Sequence, residues 1–146
     1  FKGTAHPPPR RDGKRDNPAD MNGAEIGSTN LGKGRGTSLL YEHNPSHRVG
    51  RVLASWEGPG GELRVNGVVD DAEMEHSVRS GQTRGLSLGH SVLTGDRGQR
   101  LSANRPDELS LCDEPRRGGC YVTEVDGRVV HSTANFSRRG ACASRP

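Results

Sequence analysis

A chain of 146 residues with 29% hydrophobic residues and five aromatics has material for one compact domain around a small core. Its formal net charge of +3 comes from 18 arginines and 3 lysines, but acidic residues are interspersed through most of the chain, so the excess is too mild to mark a nucleic-acid binder. No apolar run approaches the ~20 residues of a membrane-spanning helix, the first nine residues do not form a signal peptide, and the opening Phe in place of Met reads as a fragment or a processed product.

Residues 1–36 offer little apolar material beyond Phe1, Met21, Ile26 and Leu31. Pro7-Pro8-Pro9, a basic run through Arg15 and Gly-rich turns predict a flexible N-terminal arm that cannot bury enough surface to offset chain entropy. Gly32-Lys33-Gly34-Arg35-Gly36 lacks the spacing of a phosphate loop and reads as a linker. From Leu39 the pattern turns to short β-like runs over 39–41, 48–56 and 62–69, with Gly58-Pro59-Gly60-Gly61 marking a hairpin between the last two. Asp70-Asp71 can cap a short helix whose apolar positions are Ala72, Met74 and Val78, and Ser80-Gly81 ends it. A strand over 84–93 follows, then a surface loop over 94–106. Strands over 108–112 and 119–125 come next, and another over 128–131 after the Asp126-Gly127 turn. From Ser132 the periodicity is lost. The organisation expected is therefore an arm over 1–36, a mostly β folded domain over 37–131, and a loose C-terminal tail over 132–146.

Cys112, Cys120 and Cys142 are odd in number and lack zinc-type spacing, which fits a reduced intracellular setting. No zinc signature, phosphate loop or dinucleotide fingerprint appears, so no metal or cofactor is expected.

Three residues can carry chemistry. In Gly85-Leu86-Ser87-Leu88-Gly89, strand alternation sends the leucines to one face and Ser87 to the other between two glycines, leaving clearance for a substrate backbone to approach a nucleophile. In Asp107-Glu108-Leu109-Ser110-Leu111-Cys112 the same alternation turns Glu108 away from the core together with Ser110 and Cys112. A carboxylate there can orient a histidine. His43 stands where an apolar strand ends at Asn44-Pro45, able to project over a neighbouring strand, and an imidazole suits a general base near neutral pH. His47, in the same turn, is its closest rival; His76, His90 and His131 are the others, with His76 and His131 expected to be solvated and His90 on the opposite face of Ser87's strand.

Together these segments resemble the herpesvirus assemblins and, less closely, the phage prohead proteases, over roughly residues 38–125. The assemblin histidine is followed seven residues later by the glycine of a Val-Gly-x-Val strand, matched by His43 and Val49-Gly50-Arg51-Val52. The Gly-Leu-Ser-Leu of the nucleophile is matched by Gly85-Leu86-Ser87-Leu88, and the leucine-cysteine pair with paired arginines and glycine by Leu111-Cys112 and Arg116-Arg117-Gly118. The resemblance implies a small barrel-like sheet with a few short helices. It assigns Ser87 as nucleophile, His43 as base and Glu108 as third member, a position held by histidine in assemblins and by an acidic residue in the phage enzymes. Arg116 and Arg117 would supply the oxyanion hole, one through its backbone N–H and one through a water held by its side chain. Pro115 replaces the usual glycine before the pair. The helices through which assemblins dimerise are not evident.

The function so implied is a serine endopeptidase that cleaves scaffold or assembly protein at Ala-Ser bonds inside an immature viral capsid, in the host nucleus if herpesvirus-like, as a possible homodimer. The chain itself carries Val52-Leu53-Ala54-Ser55, in a strand and protected while folded, and Ala141-Cys142-Ala143-Ser144 in the tail. Two other classes are open: a non-catalytic capsid-assembly or scaffold module that keeps the fold, and an Arg-rich nucleic-acid-binding β domain, which would bind DNA with steep salt dependence.

Overall fold

A computed structural model describes residues 1–16, 19–33, 36–91 and 105–131. The expected tail, most of the expected 94–106 loop and the second Ala-Ser sequence lie outside the described residues. In chain order the elements are β1 (Lys2–His6), α1 (Gly23–Ser28), β2 (Thr37–Tyr41), β3 (Asn44–Glu57), β4 (Leu63–Val69), α2 (Ala72–Arg79), β5 (Gly85–Ser91), β6 (Arg105–Cys112), β7 (Val122–Val125) and β8 (Arg128–Val129). The strands form one eight-stranded sheet in the order β5-β6-β2-β3-β4-β1-β7-β8. Every neighbouring pair is antiparallel except β2 and β6, which run parallel.

Local chemistry explains the boundaries. The hairpin from β3 to β4 turns on the expected glycines, with the Gly58 N–H donating to the Glu62 carbonyl at 2.7 Å and Gly61 at a φ of 90° that only glycine adopts freely. Helix α2 starts where the Asp71 side chain accepts from the Met74 N–H at 2.9 Å. Met74 and Val78, one turn apart, are its buried face. Between β7 and β8, Asp126-Gly127 take positive φ as a two-residue hairpin turn requires.

Leu86, Leu109 and Leu111 are buried as their alternation predicts, together with Leu39, Val49, Val52, Leu63 and Val65, whereas Ser110 and Cys112, expected to face away from the core, are buried as well. Two expectations are corrected. Residues 1–36 do not form a free arm, because β1 lies inside the sheet between β4 and β7, and Met21, Ile26 and Leu31 are all core residues. Burying each of these side chains contributes roughly 1.5–3 kcal/mol toward ordering the segment, beside the ladder hydrogen bonds that β1 makes on both its edges. The sheet is also not a closed barrel: β5 and β8 are its two ends. It rolls instead, so that β5 meets the chain entering β7 through a single bridge, Gly85 with Tyr121, and hydrogen bonds from Leu86 N to Cys120 O and from Val122 N to Arg84 O, both 2.9 Å.

Candidate active site

Strand order brings the three candidate residues together, since β6 lies between β5 and β2. Ser87 is registered opposite Ser110, and Gly89 opposite Glu108. His43 reaches the same place from a tight turn. Tyr41 pairs with Asn44, so Glu42 and His43 alone connect β2 to β3, at φ of 51° and 59°. Left-handed backbone costs roughly 1–2 kcal/mol at each non-glycine residue. Three hydrogen bonds offset that cost: Glu42 N to Leu111 O at 3.0 Å, His43 N to Ser110 Oγ at 3.0 Å, and Asp113 N to Glu42 Oε1 at 3.3 Å.

The His43 imidazole spans the gap between the Ser87 hydroxyl and the Glu108 carboxylate. Its Nδ1 lies 2.7 Å from Glu108 Oε2 and 3.1 Å from Oε1, and its Nε2 lies 2.8 Å from Ser87 Oγ. A carboxylate only accepts, so the proton belongs on Nδ1 and the Nε2 lone pair faces the serine O–H. The side chains of His43 and Glu108 are 29% and 21% exposed, open enough for a substrate to arrive and closed enough to hold their geometry. Ser110 Oγ donates to Glu108 Oε1 in turn.

The flanking glycines have a different use from the one their spacing suggests. A Cβ at Gly89 would fall on the Glu108 carboxylate, and one at Gly85 would come within 2.5 Å of Pro115 N and 2.8 Å of Cys112 Sγ. They clear space for the residues that surround Ser87 as much as for a substrate.

A cleft of about 860 Å³ opens beside Ser87, walled by residues 86–88 and 116–120 on one side and by parts of the 5–23 segment on the other. Arg116 and Arg117 both line it. The Arg117 guanidinium pairs with Asp20 at 3.0 Å, whereas Arg116 is largely exposed, 4.0 Å from Glu42. Asp20 also accepts from the Asp16 N–H at 3.0 Å, and the next residue, Met21, donates its N–H to His6 Nε2 at 3.0 Å. His6 Nδ1–H donates to the Pro7 carbonyl at 2.6 Å, so the segment is tied to β1 by a neutral imidazole. Where the loop bearing the arginines leaves β6, it is braced by the Tyr41 hydroxyl, which donates to Asp113 Oδ1 at 2.9 Å; that bond pushes the phenol up to about 12.

The competing residues are disposed otherwise. His47 sits edge-on to Tyr41 at 5.4 Å, His76 is exposed on α2, and His131, expected to be solvated, stacks on Tyr121 at 4.1 Å. His90 lies in β5. Cys112 and Cys120 are free thiols that burial pushes up to about 12, so neither competes with Ser87 as a nucleophile. Among the described residues no three metal-ligating side chains are gathered. Alternation already placed Ser110 beside Glu108 without revealing its two hydrogen bonds, and nothing local in the sequence marks Asp20.

No family model matches the chain, and no curated protein matches it. Among solved structures, KSHV protease in complex with a hexapeptide phosphonate inhibitor aligns with a TM-score of 0.56 at 17% identity, over 82% of this chain and 62% of that one. The chain thus spans less than two thirds of that neighbour. Kaposi's sarcoma-associated herpesvirus protease in complex with an allosteric inhibitor, compound 733, aligns with a TM-score of 0.54 at 18% identity, over 96% of this chain and 84% of that one. At such identities the likeness is one of architecture: the chain has a fold similar to that of a herpesvirus protease.

Proposed function

We propose that the chain is a serine endopeptidase in which Ser87 is the nucleophile, His43 the general base and Glu108 the residue that orients the imidazole. The observation that carries this reading is the continuous line of hydrogen bonds from Ser87 Oγ through His43 to Glu108, at 2.8 Å and 2.7 Å, from three separate parts of the chain. Ser87 Oγ attacks the scissile carbonyl carbon while its proton passes to His43 Nε2. Glu108 stabilises the imidazolium that forms. Collapse of the tetrahedral intermediate breaks the C–N bond, and the leaving amine takes the proton from Nε2. Water then attacks the acyl-Ser87 ester, with His43 as base again, and releases the new carboxylate.

The oxyanion is assigned to the loop carrying Arg116 and Arg117, which lines the cleft beside Ser87. One donor of this kind contributes about 2.7–4 kcal/mol of transition-state stabilisation. No step calls for a metal or cofactor. Following the resemblance to assemblins and phage prohead proteases, the substrate is a viral scaffold or assembly protein cut at Ala-Ser bonds in an immature capsid within the host cell, and the active form is a homodimer. The Ala54-Ser55 bond of the chain itself is paired within β3 and is spared in the folded protein.

Incubation with a peptide phosphonate tests the reading. Mass spectrometry is expected to find the adduct on Ser87, and the wild-type chain is expected to cut a scaffold peptide containing an Ala-Ser bond. Cleavage that survives Ser87→Ala would remove Ser87 from its role. A chain that neither labels nor cuts, whether monomeric or dimeric, is a fold-retaining assembly module instead.

A further inference from the structure

We propose that Ser110 is a positioning residue, a fourth side chain that fixes both the backbone of His43 and the carboxylate of Glu108; this rests on the endopeptidase reading. Ser110 is fully buried and stands directly across the β5–β6 ladder from Ser87. Its hydroxyl makes two hydrogen bonds of opposite sense. It accepts the His43 N–H at 3.0 Å, and it donates to Glu108 Oε1.

The first bond solves a backbone problem. The parallel ladder between β2 and β6 runs from Leu39 to Tyr41, and its direction is continued once more by Glu42 N donating to Leu111 O at 3.0 Å. The chain then turns away through two left-handed residues, and the His43 N–H is met by a side-chain hydroxyl of β6 and not by a main-chain carbonyl. A non-glycine residue in this conformation holds only where its surroundings over-determine it. The second bond acts on the carboxylate. Both Glu108 oxygens lie within hydrogen-bond reach of His43 Nδ1, at 2.7 Å and 3.1 Å, and Ser110 engages the farther one. A donor on Oε1 selects Oε2 as the partner of Nδ1 and stops the carboxylate from rotating. One hydroxyl thereby sets the imidazole from both its main chain and its acceptor.

Ser110→Ala keeps the strand and removes both bonds. Losing hydrogen bonds to a charged group and to a half-buried N–H should lower kcat about 10- to 100-fold. KM should be unchanged, since Ser110 is buried and out of reach of substrate. A purely structural role would instead lower the melting temperature and the active fraction. Nitrogen-15 NMR of labelled histidine supplies a second readout independent of turnover: the low-field Nδ1–H resonance of the His43–Glu108 bond should broaden or move upfield in Ser110→Ala. Ser110→Cys, of similar volume and with a weaker donor and acceptor, should be intermediate in both measurements and carries the test if the alanine variant does not fold. Unchanged kcat together with an unchanged resonance in a folded variant overturns the proposal. If the wild-type chain does not label at Ser87, the endopeptidase reading fails, and the resonance alone still decides whether Ser110 holds the pair.

Discussion

The two halves of the candidate site are held by different forces. On the triad side, Ser87, His43 and Glu108 hang from β5, the β2–β3 turn and β6, three neighbouring parts of a hydrogen-bonded sheet. On the arginine side, the loop with Arg116 and Arg117 faces the 5–23 segment across the cleft, where Arg117 pairs with Asp20 and both side chains are about a quarter exposed. A ladder fixes position to a fraction of an ångström, and salt in solution barely affects it. A partly exposed ion pair is worth little, ~0–1 kcal/mol, and is screened. The Ser87–His43–Glu108 line is therefore rigid, and the loop proposed to meet the developing negative charge is adjustable.

The largest test strikes the rigid side. Ser87→Ala should lower kcat roughly 10⁶-fold in a peptide-cleavage assay, and His43→Ala by a similar amount, because such residues act as a unit. Next comes Glu108→Gln, which favours the wrong imidazole tautomer and should cost about 10⁴-fold. Gly89→Ala should match it within tenfold while remaining folded by circular dichroism, since its methyl would occupy the place of the Glu108 carboxylate. A fully active Gly89→Ala would show that the carboxylate is not tightly placed, and the contrast between the two sides would fail.

On the adjustable side, Arg117→Ala should cost about 10²–10³-fold in kcat. Asp20→Asn should cost less than tenfold, and it should abolish a modest fall in wild-type activity between 0.1 and 1 M salt. Equal salt dependence in both proteins would mean that the ion pair does not position Arg117.

The smallest effect concerns stability. Burial holds the Cys112 and Cys120 thiols near 12, above the 9.0 of a free thiol. The folded state therefore keeps protons that the unfolded chain releases, and stability present below pH 9 is lost as pH rises from about 9 toward 12. Thermal melts should show this alkaline decline, flattened in Cys112→Ala and Cys120→Ala. Neither thiol should react with iodoacetamide at pH 8 while the protein is folded.

What could be read from the sequence follows the same division. Period-two alternation was enough to turn Ser87 and Glu108 away from the core, and the end of an apolar run before Asn44-Pro45 was enough to place His43 beyond a strand. These are local signals, and strand pairing only had to collect them. The 5–23 segment carries no such signal. In Lys2-Gly-Thr-Ala-His6 there is no apolar alternation, and the strand exists because neighbours on both sides complete its hydrogen bonds, with Gly3 so close to Tyr121 O that a Cβ would come within 2.8 Å. Helix α1 did leave a trace, the Asn22 and Glu25 capping box, in a stretch otherwise too polar to suggest a helix. Asp20 and Arg117 meet only through the tertiary fold, and no spacing rule links them.

The parallel pairing of β2 with β6 also has a bearing on timing. His43 and Glu108 stand 65 residues apart, and β5 adjoins β2 only through β6, so the serine and the imidazole cannot meet until the strand bearing the carboxylate has slotted between theirs. Contacts of such long sequence separation form late and slowly. On the endopeptidase reading, a nascent chain that has not yet delivered residues 105–112 is consequently harmless to its surroundings, and reactivity at Ser87 is born only with the finished sheet.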